Sequence, residues 1–207
     1  MVLLVFGFGF IAWGVLIAIQ RKVYKSVAIV EAGSLPGAAY DDHFYPKQFA
    51  LIESDTILTN VIAKLKLNEA GGEKYNRGRR LNDAQAEKIL KRQLDLNFVN
   101  NTRILKIGVY DRDPNEAAGL ANAVAETYSE YRTQELRRLA ATEPHPHYEW
   151  EHVGAVIMDR AVAGLKPVRP NPHLVGLMTF VGALLTIAGI VRRNYSRISN
   201  YFAEMYR

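Results

Sequence analysis

The residues best suited to chemistry crowd into one stretch, where His145, His147 and His152 stand among Glu143, Glu149 and Glu151. Imidazole and carboxylate are common zinc ligands, so the cluster invites a metal reading. Its spacing matches no compact zinc pattern, however, and Pro144 and Pro146 mark an exposed turn. It reads as a solvated loop. Asp111 and Asp113 are a second candidate pair for a cation, but Asp113 already has work as a helix cap. Gly71-Gly72-Glu73-Lys74 lacks the glycine spacing and the Lys-Ser/Thr pair of a phosphate-binding loop. Neither a Gly-x-Ser-x-Gly elbow nor a His-Glu-x-x-His pattern is present. The sequence therefore predicts a protein that is not an enzyme, with no catalytic residues, no metal site and no cofactor.

The elements that carry these residues lie between two apolar runs. Residues 1–19 and 174–191 contain no charged side chain. At ~1.5 Å rise per residue, about 18 residues span roughly 27 Å, close to the hydrocarbon core of a bilayer. Backbone in lipid must satisfy its own hydrogen bonds, so both runs are expected as transmembrane helices. No Lys or Arg precedes the first run, and Ala18-Ile19-Gln20-Arg21-Lys22 is a poor cleavage site, so an uncleaved anchor is expected rather than a signal peptide. Arg21, Lys22 and Lys25 nearly balance Arg192, Arg193 and Arg197, leaving orientation open on charge alone. The net charge of +5 forms no basic face with interleaved aromatics, so nucleic acid is not an expected partner. The absence of cysteine excludes disulfides and thiolate chemistry.

Residues 20–165 read as a small α/β domain. Residues 23–31 alternate and are rich in Val and Ile, which predicts a strand, followed by a Gly/Pro/Ala-rich loop over 33–40. Residues 49–67 have helical periodicity, with Ser54 placed to cap a second segment. Residues 68–82, holding Gly71, Gly72 and Gly78, read as a surface loop, and 83–94 as a short amphipathic helix. Residues 104–110 predict a strand that sets Leu105, Ile107 and Val109 against Ile104, Lys106, Gly108 and Tyr110. The clearest local signal is Asp113-Pro114-Asn115-Glu116: a capping acid, proline at the first helical position and glutamate at the third. It opens one long helix to about Leu139, with Ala117, Ala121, Val124, Tyr128 and Tyr131 as its apolar stripe. Residues 153–163 read as the last strand, and 166–173 as a stiff proline-rich spacer.

The order of these parts resembles the Wzz-type polysaccharide co-polymerases, the chain-length determinants of bacterial surface polysaccharides. Phe49-Ala50-Leu51-Ile52-Glu53-Ser54, with Ile57, Leu58 and Val61, is similar to the family's early helix pair. Asn101-Thr102-Arg103-Ile104-Leu105-Lys106-Ile107, then Asp113-Pro114 and Ala117-Ala118-Gly119-Leu120-Ala121-Asn122-Ala123, is similar to its strand-to-helix segment. Ala161, Pro167, Pro170 and Asn171 resemble its membrane-proximal proline motif, although Gly164 stands where the family's first proline is expected. The family's basic tail ahead of the first span has no counterpart here, which fits a start upstream of Met1. This would be a short member, with one long helix instead of a long helical hairpin. The resemblance implies an α+β protein of the bacterial inner membrane, its central domain periplasmic or extracytoplasmic and both termini cytoplasmic. It further implies a homo-oligomer that works with a polysaccharide polymerase and its lipid-linked glycan without itself making or breaking bonds.

Two groups of residues follow as candidate sites. Pro167, Pro170, Asn171 and Pro172 would couple domain to span, because a stiff spacer transmits movement that a flexible linker absorbs. Gly182, Thr186 and Gly189 in the second span, and Gly14 and Ala18 in the first, would let helices approach closely in lipid. The tail 192–207 is expected either as a short amphipathic helix at the cytoplasmic lipid surface or as a frayed end. Tyr195, Tyr201 and Tyr206 there suit contact with a tyrosine kinase, so an adaptor activating a separate cytoplasmic kinase is a second reading. A two-anchored ligand sensor is a third, and it predicts a small-molecule pocket in the central domain.

Overall fold

The computed structural model describes residues 2–33, 43–142 and 154–205. The predicted loop over 33–40 falls almost wholly outside them, as do His145, His147 and His152 with their neighbouring glutamates. The chain divides into two units: Met1–Val23 with Pro167–Arg207, and Tyr24–Lys166. Among the described residues are seven helices and a four-stranded sheet, an α+β architecture.

In the Tyr24–Lys166 unit, β1 (Tyr24–Glu31), β2 (Leu94–Phe98), β3 (Ile104–Asp111) and β4 (Val156–Asp159) form an antiparallel sheet in the order β2-β3-β1-β4. Strand alternation turns Ala28 and Val30 of β1, and Leu105, Ile107 and Val109 of β3, toward the core. The long helix α6 (Pro114–Thr142) packs on the face they make with Ala117, Ala121, Val124, Ala125 and Tyr128, all fully buried. Helices α2 (Phe44–Ile52), α3 (Asp55–Leu65), α4 (Leu67–Tyr75) and α5 (Asp83–Gln93) complete the layer. From α3 come Ile57, Leu58, Val61 and Ile62. The Tyr128 hydroxyl donates to Gln48 Oε1 at 2.8 Å inside this core, so neither polar group is left unpaired.

Local signals explain the helix starts. Ser54 Oγ accepts from Ile57 N and separates α2 from α3. Asn82 and Gln85 form a reciprocal capping box at α5, and Asp113 Oδ1 accepts from Asn115 N at 2.8 Å to open α6.

Four expectations need correction. The predicted loop 68–82 begins as helix α4, since Gly71 and Gly72 are there for close packing rather than chain reversal. A Cβ on Gly72 would lie 3.1 Å from Arg80 Cα. The segment after α5 is strand β2, whose Leu94 and Leu96 pair with Val109 and Ile107, and whose Phe98 stacks on Tyr45 at 4.0 Å. The last strand is only Val156–Asp159. Beyond it the backbone is held by a side chain instead: Asn122 Oδ1 accepts from Ala161 N at 2.8 Å and Asn122 Nδ2 donates to Ala161 O at 2.9 Å. Tyr131 is only half-buried, and the core stripe of α6 continues through Leu136.

The second unit is built from α1 (Val2–Ala18) and α7 (Pro172–Met205). The 24 residues Pro172–Tyr195 are long and apolar enough to cross a membrane, with mean hydropathy 2.4; the apolar part of α1, Val5–Ala18, is shorter. Gly7 lies against Gly182 and Thr186, and Gly14 against Thr179, so the two helices run antiparallel.

Candidate functional site

The proline segment and the small residues of α1 and α7 meet in the second unit. Val23 N donates to Arg169 O at 3.0 Å and Val168 N to Val23 O at 2.8 Å, so the segment is tied to the chain leaving α1. Pro167 and Pro170 are half-buried. Pro172 differs from expectation: it is the first residue of α7 rather than part of the spacer. Proline suits that position because its missing N–H would have no helical partner there. Asn171 Oδ1 accepts from His173 N at 3.0 Å, and Asn171 O accepts from Val175 N at 3.2 Å, which makes Asn171 the cap. The same helix runs through residue 192 to Met205, so the tail is neither a separate surface helix nor frayed over that length.

Gly182 and Gly189 are both buried. A Cβ on Gly182 would stand 2.7 Å from Ile11 Cγ1 and 2.9 Å from Gly7 O, so glycine alone allows this approach. Thr186 turns its hydroxyl back to Gly182 O at 2.8 Å, satisfying it within its own helix. On α1 the facing residues are Gly7 and Gly14, not Gly14 and Ala18, since Ala18 is exposed. Thr179 Cγ2 lies 2.8 Å from where a Gly14 Cβ would be.

In the α+β unit, a cavity of about 50 Å³ opens between α4, α5 and the β3–α6 junction. At its edge is Asp111, 4% exposed, whose carboxylate takes Lys74 Nζ, Gln93 Nε2 at 2.6 Å and Asp113 N at 2.9 Å. Lys74 also reaches Glu116 Oε2 at 2.6 Å. Burial opposes the Lys74 charge, but Asp111 and Glu116 outweigh it and hold the ammonium pKa above its ordinary value. With the Tyr75 hydroxyl donating to Oδ2 at 3.5 Å as a fourth partner, the carboxylate is taken up by protein donors, and Asp111 is a clasp that fixes α4 to the end of β3. Asp113 is spent on capping α6. No cluster of three metal-ligating side chains occurs among the described residues.

The clasp was not foreseen from sequence. Its partners are 37 residues apart, and no local pattern links them. No protein-family model matches the chain, and no curated protein matches it either.

Proposed function

We propose that the chain is a non-catalytic, oligomeric regulator of polysaccharide chain length in bacterial surface polysaccharide biosynthesis, whether of O-antigen, capsule or exopolysaccharide. In this reading α1 and α7 anchor it in the inner membrane, with the α+β unit on the extracytoplasmic side. The observation that carries the reading is the exposure of apolar side chains around both terminal helices. Phe6, Phe8, Trp13 and Leu16 of α1, and Leu177, Phe180, Leu184 and Ile187 of α7, face outward. Only 11% of the apolar window of α7 is buried, whereas the core helix of a soluble protein would be mostly covered. Lipid is the solvent that suits such a surface. Antiparallel packing of two spanning helices would put both termini on one side, in keeping with the order of parts shared with the Wzz-type co-polymerases.

The test is genetic and topological. Deleting the gene should shift the length distribution of a surface glycan on a gel, and an unchanged ladder refutes the regulator. Protease added to intact spheroplasts should cut between residues 24 and 166; protection of that segment refutes the topology.

One observation favours the kinase-adaptor alternative. Helix α7 has 34 residues, about 51 Å at ~1.5 Å per residue, well beyond a hydrocarbon core of ~30 Å. The excess carries Arg192, Arg193 and an exposed Tyr195 as continuous helix. Truncation after Arg193 should abolish phosphorylation of a partner kinase while leaving assembly intact if the adaptor reading holds.

A further inference from the structure

Helix α4 ends in a turn that carries three arginines. Arg77, Arg79 and Arg80 are exposed, and none of their guanidinium groups has a hydrogen-bond or ion-pair partner among the described residues. Their backbone, by contrast, is pinned. Asn76 N and Gly78 N both donate to Gly72 O at 3.0 Å, and Arg79 N donates to Asn76 O at 3.0 Å. Asn76 Nδ2 donates to Arg79 O at 3.1 Å, and Leu81 N to Asn68 O at 2.9 Å. Gly72 lets this turn lie directly on α4, as described above. Arg77 has φ 51, a left-handed conformation in which glycine or asparagine would cost less.

The surroundings sharpen the chemistry. The turn leads into Leu81, which lines the cavity together with Tyr75, and Tyr75 is 41% exposed. Burial pushes the Tyr75 phenol up and Asp111 adds to this, while Lys74 and Arg112 pull it down. Asp111 and Glu116 are engaged by Lys74, so they do not neutralise the turn. With Lys74 taken up by those two carboxylates, the remaining charges from residue 73 to 80 are Glu73 against Arg77, Arg79 and Arg80, a balance of 3 − 1 = +2.

We propose that the arginine turn Arg77-Gly78-Arg79-Arg80 is a contact site for an acidic polysaccharide, one whose sugars carry carboxylate or phosphate groups. Guanidinium forks match the planar oxygens of such groups in a way that an ammonium does not. The fixed backbone confines the ordering required on binding to the arginine side chains. A lipid surface is the weaker occupant: Asn76, Asn82 and Asp83 flank the turn in sequence, and residues 77–80 themselves carry no aliphatic or aromatic side chain to enter a bilayer. The inference rests on the polysaccharide reading above and assigns the charge class of the glycan.

The experiment uses the full chain in nanodiscs of neutral lipid, with fluorescent oligogalacturonate as acidic probe and a dextran oligomer as neutral control. Oligogalacturonate should bind, and binding should weaken as salt is raised. Dextran should not bind. Combining Arg77→Gln, Arg79→Gln and Arg80→Gln should weaken binding on the order of tenfold or more. The same positions changed to Lys should retain part of the affinity, which separates charge from guanidinium geometry. An unchanged melting midpoint shows that the fold survives in each variant. Equal binding by the Gln variant, or none by the wild type, overturns the site. So does arginine-dependent displacement of the probe by phosphatidylglycerol vesicles, which would make the occupant a membrane. Binding and glycan ladder are read separately: an altered ladder in the deletion strain with no oligogalacturonate binding removes this site alone, and an unaltered ladder removes the regulatory function alone.

Discussion

Asn122 spends its whole carboxamide on one residue, accepting from Ala161 N at 2.8 Å and donating to Ala161 O at 2.9 Å. The pair fastens the irregular segment that follows β4 to the middle of α6, in place of sheet hydrogen bonds. Asn122→Ala should cost about 1–3 kcal/mol, the penalty for stranding partly buried backbone groups. Asn122→Asp should cost at least as much, because one carboxylate oxygen would then face the Ala161 carbonyl. Denaturant unfolding of the full chain in detergent measures both, and wild-type stability in either variant would remove the role.

Glu126 lies one turn further along α6 and bridges Lys64 Nζ at 2.8 Å and Arg160 at 2.6 Å. Lys64 first, and then Arg160, hold its carboxyl below the ordinary 4.5, against a smaller opposing effect of burial. A carboxyl whose folded pKa is lowered stabilises the fold fully above the unfolded value and loses that contribution as pH falls through the folded one. Glu126→Gln should therefore cost about 0.5–1 kcal/mol at neutral pH, the size expected of a mostly solvated pair. The gap should close at pH below 4.5. A gap that persists in acid means the charge is not its cause.

The contact of α1 with α7 can be read directly, because the sequence contains no cysteine to interfere. Gly14→Cys with Thr179→Cys should crosslink on oxidation. Adding Gly182→Leu, whose side chain would collide with Ile11 and Gly7 O, should abolish the crosslink and lower the thermal midpoint by an amount corresponding to about 1–3 kcal/mol of overpacking. Efficient crosslinking in the triple variant would show that the helices do not meet through Gly182.

Lys66 closes α3 and opens α4 at φ 50 and ψ 42, a left-handed position without glycine. Lys66→Gly should stabilise the domain by about 0.5–1 kcal/mol, since glycine adopts this conformation without a Cβ penalty. A loss of stability would mean that the lysine side chain contributes more than its backbone strain removes.

Much of the fold was legible wherever a local pattern fixed it. Ser54 and Asp113 cap their helices within two or three residues of chain, and β1 and β3 follow from alternation around Ala28 and Ile107. What was not legible depends on distant neighbours. Gly71 and Gly72 look like loop residues until the returning Arg79–Arg80 backbone explains their size. The choice of Gly7 over Ala18 needs the position of Thr186 on the other helix. Lys74 and Asp111 meet only because β3 ends where α4 passes. Strand β2 is five residues long, and its Leu94 also completes the apolar pattern of α5, so periodicity alone extends the helix through it.

The sheet order also sets a schedule for biogenesis. Strand β1 occupies an inner position, yet its first neighbour, β3, begins at Ile104 and its second, β4, at Val156. Contacts separated by that much chain form slowly, because loop closure must come before any gain from pairing. During synthesis β1 therefore waits with both edges open until at least Asp111 has emerged. A nascent chain arrested before that point leaves Val27 to Val30 as an unpaired ribbon.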